Sequence, residues 1–366
     1  MREPAAFPSA PHGLKGRAAE LATLARAIEE AAPTRLALIG AGGTGKSMLA
    51  CALGHRVAKR FGGRIHWFRV GAWDFHTLAE MLALGFGTSR ARGELVPELQ
   101  AFLSGDEERF IVLDNHEDDR AMARLLDTLS GTRATFVITA RRCLLAGVLI
   151  FPVTPPLVTS GLNAFPRVAR LTRRLRWNPL ALDIADAIVA SREATAAELE
   201  AFLDAKGVGR VKVIEHEDDL PEVVLLVDWA WARLSPESRR MLGVLSHVDG
   251  DHMDQESLGT LARARSRATR TSALAELTRW HLVQEPVRSR VAIHAVVRHA
   301  VRRRTRVDAK RVFEHYVSLL ERHPERLRLE QTHLFAAMDH AHRTSDMAAM
   351  LRIEELLRRL DDGLRT

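Results

Sequence analysis

The chain has 366 residues, of which 46% are hydrophobic and 27% charged, with a formal net charge of +7. This composition is typical of a folded, soluble protein of two or three domains and excludes a disordered or fibrous chain. No apolar run has the length of a transmembrane helix, and residues 1–13 lack the apolar segment of a secretory signal. We therefore expect a cytoplasmic protein without membrane association, in which residues 1–13 form a flexible tail.

The stretch RLALIGAGGTGKSMLA, residues 35–50, changes from an apolar run to glycines and then to residues that favour a helix. Residues 40–47 match the pattern G-x-x-x-x-G-K-[ST], in which glycines let backbone N–H groups surround phosphate oxygens. The helix that follows directs its positive N-terminal end at the same anion. The predicted phosphate-binding residues are Gly40, Gly42, Gly43, Thr44, Gly45, Lys46 and Ser47.

A nucleotide with Mg²⁺ is the ligand that this loop predicts. Lys46 is expected to contact the β and γ phosphates, and the Ser47 hydroxyl is expected to bind the metal. A second metal ligand is expected in RFIVLDNHEDD, where the apolar run 110–113 ends in Asp114. A lone acidic residue after a strand is usually a turn residue, but downstream of a phosphate loop the metal role is the better interpretation. The expected cofactors are therefore ATP or ADP with Mg²⁺.

Residues 14–150 alternate between apolar runs and helical periodicity, which predicts an α/β domain with a parallel sheet covered by helices on both faces. The predicted strands are 36–39, 65–70, 110–113 and 135–139, and the predicted helices lie near 18–31, 46–60, 76–84, 94–104 and 119–129. The last strand precedes Arg141, at the sheet edge where ligands bind in such folds. Arg141 is either a sensor of the γ-phosphate or a solvated arginine, and its spacing leaves both interpretations open.

Beyond the proline-rich residues 151–166, which predict a linker, the sequence is almost wholly helical. Two helices broken at Asn178-Pro179 are expected first. Further helices are expected near 196–205, 222–233, 236–247, 254–264 and 270–281. The segments LVQEP and RVAIH then predict a short hairpin, and helices followed by a hairpin are typical of a winged-helix domain. Three amphipathic helices are expected within 308–362. The predicted domains are 14–150 (nucleotide-binding), 151–215 (small helical), 216–306 (winged helix) and 307–366 (helical, TPR-like).

Six motifs, in order along the chain, resemble a STAND-class P-loop NTPase of the NB-ARC type, the switch ATPases of immune receptors and many bacterial regulators. They are GLKGRAAEL, GAGGTGKS, FIVLDNHED, FVITAR, RWNPLALDIA and RVAIHAVVRHAV, within residues 14 to about 305. The resemblance implies that Leu14, Arg17 and Pro179 lie on the adenine side of the nucleotide. It also implies that Arg141 senses the nucleotide and that His294 contacts the β-phosphate of ADP.

The function implied by this resemblance is a signalling switch. ADP would hold the closed state, ATP would open the protein so that copies self-associate, and slow ATP hydrolysis would reset it. Bacterial defence and transcriptional control both fit such a switch. Since no effector domain is recognisable, we expect either a minimal member that works with a separate effector and sensor or a fragment of a longer protein.

The sequence departs from the family pattern at two motifs. Asn115 follows Asp114 where the family has a second acid, and an amide cannot accept the proton of the attacking water. The predicted catalytic positions are therefore Asp114 and Asn115 with slow hydrolysis, and Glu117 or Asp118 is an alternative acid. In the second motif only His294 of the family's M-H-D triplet is present.

The alternative function is a DNA-binding transcriptional regulator. Residues 263–306 carry twelve arginines against two acids, Glu276 and Glu285. A winged helix could place TSALAELTRW in a major groove. The winged helix of the resembled family does not usually read DNA, so DNA is the less favoured partner. A third class, an AAA+ motor, is disfavoured by the WNPLAL and AIHAVVRH motifs.

Overall fold

A computed structural model describes residues 7–11, 14, 16–31, 33–88, 94–154, 165–207, 220–248, 252–287 and 289–365. The chain divides into two compact units. The first unit comprises Met1–Gly40, Lys46–Val153 and Phe313–Thr366, and the second comprises Ala41–Gly45 and Thr154–Val312. The middle of the glycine-rich loop therefore groups with the second unit.

Within the described residues, the first unit contains a five-stranded parallel sheet with the order β2-β3-β4-β1-β5. Its strands are β1 (Arg35–Ile39), β2 (Ile65–Arg69), β3 (Arg109–His116), β4 (Ala134–Ala140) and β5 (Leu149–Pro152). The four predicted strands are confirmed. The predicted linker is wrong at residues 151–152, which belong to β5. This short strand ends in a proline and exposes Leu149 and Ile150, so it lacks the buried apolar pattern of the other strands.

Helices cover both faces of this sheet, as the alternation of strands and helices predicted. They are α1 (Ala18–Ala31), α2 (Lys46–Val57), α3 (Phe75–Phe86), α4 (Leu95–Ser104) and α5 (Asp119–Thr128). Successive residues of β3 face opposite ways: Ile111 and Leu113 join an apolar cluster with α3, α4 and α5, whereas Phe110 and Val112 join another with α1 and α2. Each face of β3 therefore has its own buried core.

The carboxyl-terminal part of the chain contains three further helices, α13 (Ala309–Arg322), α14 (Leu327–Thr344) and α15 (Met347–Arg365). They belong to the first unit from Phe313 onward, and α6 to α12 lie in the second unit. These are the three amphipathic helices predicted at the end of the chain. Their apolar faces form one cluster with Met81 and Leu84 of α3. The segment predicted after the winged helix thus packs on α3 of the first unit, a pairing that its sequence did not indicate.

Part of the predicted flexible tail also packs on this unit. The Phe7 ring lies edge-on to Trp67 and His55, and the Pro8 carbonyl accepts a hydrogen bond from His55 Nε2 at 2.7 Å. A side chain at Gly54 of α2 would leave its Cβ 2.3 Å from the Phe7 ring. Glycine at this helical position therefore makes room for the aromatic ring.

The second unit is mostly helical. Its elements are a 3₁₀ helix (Pro166–Leu171), α6 (Pro179–Ala190), α7 (Ala196–Lys206), α8 (Pro221–Arg233), α9 (Pro236–His247), β6 (Met253–Asp254), α10 (Gln255–Leu261), α11 (Arg267–Arg279), β7 (Val283–Val287), β8 (Arg290–Ile293) and α12 (Ala295–Arg302). The predicted hairpin is confirmed as the antiparallel pair β7–β8, with β6 on the other side of β8. The α-helix predicted before Asn178 is wrong: the segment is a 3₁₀ helix followed by turns, and Arg176 and Trp177 have positive φ angles.

None of the helices in the described ranges has a stretch long and apolar enough to cross a bilayer.

Candidate nucleotide-binding site

The carboxyl ends of three neighbouring strands bring the predicted polar residues to one edge of the sheet. β4 lies between β1 and β3, and its Thr139 and Ala140 pair with Leu38 and Ile39 of β1. The Gly40 N–H extends this register by donating to the Ala140 carbonyl at 3.3 Å. The glycine-rich loop therefore begins where β3 and β4 also end, the position at which parallel α/β sheets bind ligands.

Lys46 is the first residue of α2, and its side chain lies over the start of the loop. Its Nζ donates to the Gly40 carbonyl at 2.8 Å. Burial lowers the pKa of Lys46 from 10.5 to about 8, against the opposing effect of the Asp114 carboxylate, while the nearby Arg141 lowers it further. Lys46, Asp114 and Arg141 therefore lie within electrostatic range of one another, as expected for a site that binds several phosphate charges.

Ser47 and Asp114 are joined directly. The Ser47 hydroxyl donates to Asp114 Oδ1 at 2.7 Å, and the Asp114 side chain is largely buried. A hydroxyl and a carboxylate are oxygen ligands of the kind that Mg²⁺ prefers. These two residues fit the predicted metal role, and when bound the ion would neutralise phosphate charge.

Thr139 belongs to the same cluster, although the sequence analysis did not select it. Its hydroxyl donates to Asp114 Oδ1 at 2.6 Å and accepts from the Asn115 N–H at 2.9 Å. The signal in the sequence was a hydroxyl residue within the apolar run ATFVITA, two residues before Arg141. Thr139 is buried in β4, and Asp114 supplies the partner that a buried hydroxyl usually has.

Asn115 occupies a bulge at the end of β3. The pairing of β3 with β4 shifts register between Leu113 and His116, and Asn115 has a φ of 61°. Asparagine tolerates this left-handed conformation better than most residues. Its Nδ2 donates to Glu117 Oε1 at 2.7 Å, so the amide of the predicted catalytic position is directed to Glu117.

The middle of the loop, residues 41–45, packs within the second unit. Gly43 has a φ of 72°, and a Cβ there would lie 2.9 Å from both amide atoms of Asn178. A Cβ on Gly42 would lie 3.2 Å from Val296 Cγ2. The Thr44 hydroxyl donates to the Ala41 carbonyl at 2.9 Å. The glycines thus permit both the turn of the loop and close approach by two helices of its own unit, α6 and α12.

The remaining predicted residues have defined surroundings. Leu14 packs against the cluster formed by α1 and α2, and Arg17, which is 3% exposed, makes two hydrogen bonds with Glu20. Pro179 is the first residue of α6, where its missing N–H costs no hydrogen bond. His294 caps α12: its Nδ1 accepts from the Val296 N–H at 3.3 Å. The adenine-side and phosphate-sensing roles of these residues stay predictions.

A parallel sheet, a glycine-rich loop between β1 and α2, and a serine–aspartate pair at the strand ends together define a P-loop nucleotide-binding fold. The order of its strands places β4 between the loop strand and the strand that carries Asp114. The P-loop fold is therefore identified from the sheet, the loop and the side-chain contacts of this chain.

No protein-family model matches the sequence, and no curated protein matches it. Among solved structures, the Aeropyrum pernix ORC1 protein in complex with DNA is 16% identical, with a TM-score of 0.39 over 80% of this chain and 93% of that one. A Walker-type ATPase of Pyrococcus abyssi is 15% identical, with a TM-score of 0.31 over 78% and 95% of the two chains. Domain III of the Thermotoga maritima replication initiation protein DnaA is 12% identical, with a TM-score of 0.31 over 59% and 92%. At TM-scores below 0.5 and identities of 16% or less, none of these likenesses assigns a function to this chain.

Proposed function

We propose that this chain is a nucleotide-operated switch of the STAND type, which binds ADP or ATP with Mg²⁺ at the P-loop and changes conformation between the two. One observation carries the proposal. Lys46, Ser47 and Asp114 lie close together at the end of the sheet, a group suited to phosphate and metal, while the loop residues between Gly40 and Lys46 contact α6 and α12 of the second unit. A change in loop conformation on nucleotide binding would therefore act on those two helices.

The chemical basis of the switch is the difference between ADP and ATP at this cluster. A ligand shifts a conformational equilibrium only by its differential affinity for the two states. Lys46 and Arg141 supply positive charge for the terminal phosphates, and His294 lies two residues before Val296, the residue that approaches Gly42. We propose that His294 favours the ADP state through the β-phosphate and that ATP favours an open, self-associating state.

ATP hydrolysis in this proposal resets the switch slowly. Asp114 accepts hydrogen bonds from Ser47 and Thr139, and its proposed role is that of a metal ligand rather than of the base. The adjacent Asn115 cannot accept a proton, and its amide is committed to Glu117. Without a proton acceptor at position 115, the proposal expects a rate lower by about 10² to 10⁴, so turnover should lie far below that of ordinary metabolic enzymes.

The test of nucleotide binding compares wild type with Lys46→Ala and Asp114→Asn by calorimetry. Lys46→Ala should abolish binding of both nucleotides because it removes the ammonium group from the phosphates. Asp114→Asn should weaken Mg²⁺-ATP binding while largely sparing ADP measured without metal. Unchanged ADP affinity in Lys46→Ala would contradict the proposal.

The second candidate function is DNA binding, favoured by the exposed face of α11. That face carries arginine and small or hydroxyl residues: Arg267, Ala268, Thr271, Ser272, Ala275, Thr278 and Arg279. The one acid of this helix, Glu276, is turned to the α9 start, where it accepts hydrogen bonds from Ser235 N and Oγ. An acid-free face on the helix before the β7–β8 hairpin has the composition of a major-groove reader.

DNA binding is tested by fluorescence anisotropy with duplex DNA over a series of salt concentrations. Arg267→Ala with Arg279→Ala should weaken binding and reduce the salt slope by about 2. Arg26→Ala with Arg322→Ala, at exposed sites on α1 and α13, is the matched control for loss of two charges. An affinity that is equally weak in all variants, or independent of salt, would exclude this function.

A further inference from the structure

Asn178 connects the phosphate loop to the first turn of α6 through both ends of its side-chain amide. Its Nδ2 donates to the Gly42 carbonyl at 3.2 Å, and its Oδ1 accepts from the Ala181 N–H at 3.1 Å. The side chain is 5% exposed. Because the amide has one donor end and one acceptor end, the two contacts together fix both its position and its orientation.

The backbone before Asn178 is held in an uncommon conformation. Arg176 and Trp177 have φ angles of 50° and 57°, which non-glycine residues rarely adopt. The Trp177 N–H donates to the Thr172 carbonyl at 2.9 Å, and the Asn178 N–H donates to the Leu175 carbonyl at 2.8 Å. Two consecutive left-handed residues persist only where surrounding contacts stabilise them. Here they turn the chain so that the Asn178 side chain contacts the loop.

The hydrogen bond from Asn178 to the Gly42 carbonyl also affects the Gly43 N–H, a predicted phosphate ligand. In a trans peptide the carbonyl of Gly42 and the N–H of Gly43 point in opposite directions. Fixing the Gly42 carbonyl on Asn178 therefore fixes the direction of the Gly43 N–H. Gly43, with its φ of 72°, also leaves the space beside Asn178 that a Cβ would fill.

We propose that Asn178 is a positioning residue for the phosphate loop, which aims the Gly43 N–H and transmits the occupancy of the loop to α6. This inference rests on the proposed nucleotide binding at Lys46 and extends it to a specific route of regulation. When nucleotide orders the loop, the bond from Asn178 strengthens, and the same amide holds the first turn of α6 through Ala181.

Two variants separate this role from helix capping. Asn178→Ser keeps a good N-cap for α6, but its hydroxyl is too short to reach the loop. Asn178→Asp keeps the cap and the shape but has no donor, and it adds a negative charge beside the phosphates. Thr195→Ala, which removes the capping box of α7 in the same unit, is the matched control.

The first readout is ADP affinity by calorimetry. Asn178→Ser should weaken ADP binding by about three- to tenfold, the effect of one lost hydrogen bond. Asn178→Asp should weaken it by more than about tenfold because charge repulsion is added. Thr195→Ala should lower thermal stability and leave ADP affinity unchanged. ADP affinity equal to wild type in Asn178→Ser would overturn the inference.

The second readout is hydrogen exchange in the first turn of α6, which a capping role alone would not link to ligand. ADP should slow exchange of the amides of residues 180–183 in wild type and have no such effect in Asn178→Ser. Equal protection in both proteins would overturn the inference. The proposed function fails separately, if wild type binds no nucleotide or if Lys46→Ala binds ADP normally.

Discussion

At the scale of single residues, the titration of Lys46 determines the pH range in which the site works. Burial lowers its pKa to about 8, so an increasing fraction is neutral above that pH. Bound phosphates favour the ammonium form, and binding above pH 8 therefore requires uptake of a proton. The contribution of Lys46 to affinity is therefore complete well below pH 8 and is lost as the pH rises.

We expect the ADP affinity of wild type to fall by up to about tenfold per pH unit above pH 8. Calorimetry from pH 7 to 9.5, in two buffers with different heats of ionisation, measures both the affinity and the proton uptake. Lys46→Arg keeps its charge over this range and is the control, with a nearly constant affinity. An equally constant wild-type affinity would show that Lys46 does not titrate in the free site.

Thr139 provides a second test at this scale, because its hydroxyl supports both Asp114 and the bulge at Asn115. Thr139→Val leaves the Asn115 N–H without this acceptor and removes one donor from Asp114. We expect a loss of about 1 to 3 kcal/mol in unfolding free energy and roughly tenfold weaker Mg²⁺-ATP binding. Thr139→Ser retains the hydroxyl and should bind Mg²⁺-ATP nearly as wild type. If valine and serine variants bind alike, the hydroxyl has no part in the site.

At the scale of elements, the C-terminal helices are an integral part of the first unit. Leu334 of α14 is fully buried in the cluster that includes Met81 and Leu84 of α3, whereas Leu351 of α15 is 61% exposed. Leu334→Ala should lower the unfolding free energy by about 2 to 5 kcal/mol, measured by denaturant titration. Leu351→Ala should change it by less than about 0.5 kcal/mol. Similar effects of the two substitutions would contradict this packing.

Hydrophobic periodicity determined which elements could be predicted. Strands β1, β3 and β4 contain buried apolar runs, β2 alternates buried with half-buried residues, and the long helices have regular apolar spacing, so the sequence located these elements. β5 is short and exposes Leu149 and Ile150, and the segment before Asn178 bends through left-handed residues. Neither has a periodic pattern, since their conformations depend on tertiary contacts.

The sequence predicted those residues of the candidate site that belong to recognisable motifs. Lys46, Ser47 and Asp114 come together because the phosphate loop follows β1 and the acid ends β3, two parallel strands on either side of β4. Thr139 and Asn178 were missed as contacts because a hydroxyl in a strand and an asparagine before a proline have many other uses. Their roles depend on the partners across the sheet and across the loop, which local sequence does not encode.

At the scale of the whole molecule, hydrophobic periodicity does not predict which distant segments of the chain pack into the same unit. The C-terminal helices join the first unit, and residues 41–45 join the second. An amphipathic helix shows only that one of its faces is buried, not which surface it packs on. Segments separated by more than 100 residues in the sequence are therefore assigned to one unit only by the structure.

The proposed switch makes its sharpest global prediction at His294, which also caps α12. Since Nδ1 accepts the Val296 N–H, neutral His294 carries its proton on Nε2, the atom that would donate to the β-phosphate in the proposed ADP state. His294→Ala loses both functions, whereas His294→Asn retains the cap.

Losing a hydrogen bond to a charged group costs about 1.5 to 3 kcal/mol, so both variants should release ADP roughly ten- to a hundredfold faster. X-ray scattering with ATP should also show larger particles for both variants than for wild type. If His294→Asn matches wild type in ADP release and in size while His294→Ala does not, the histidine acts only as a helix cap.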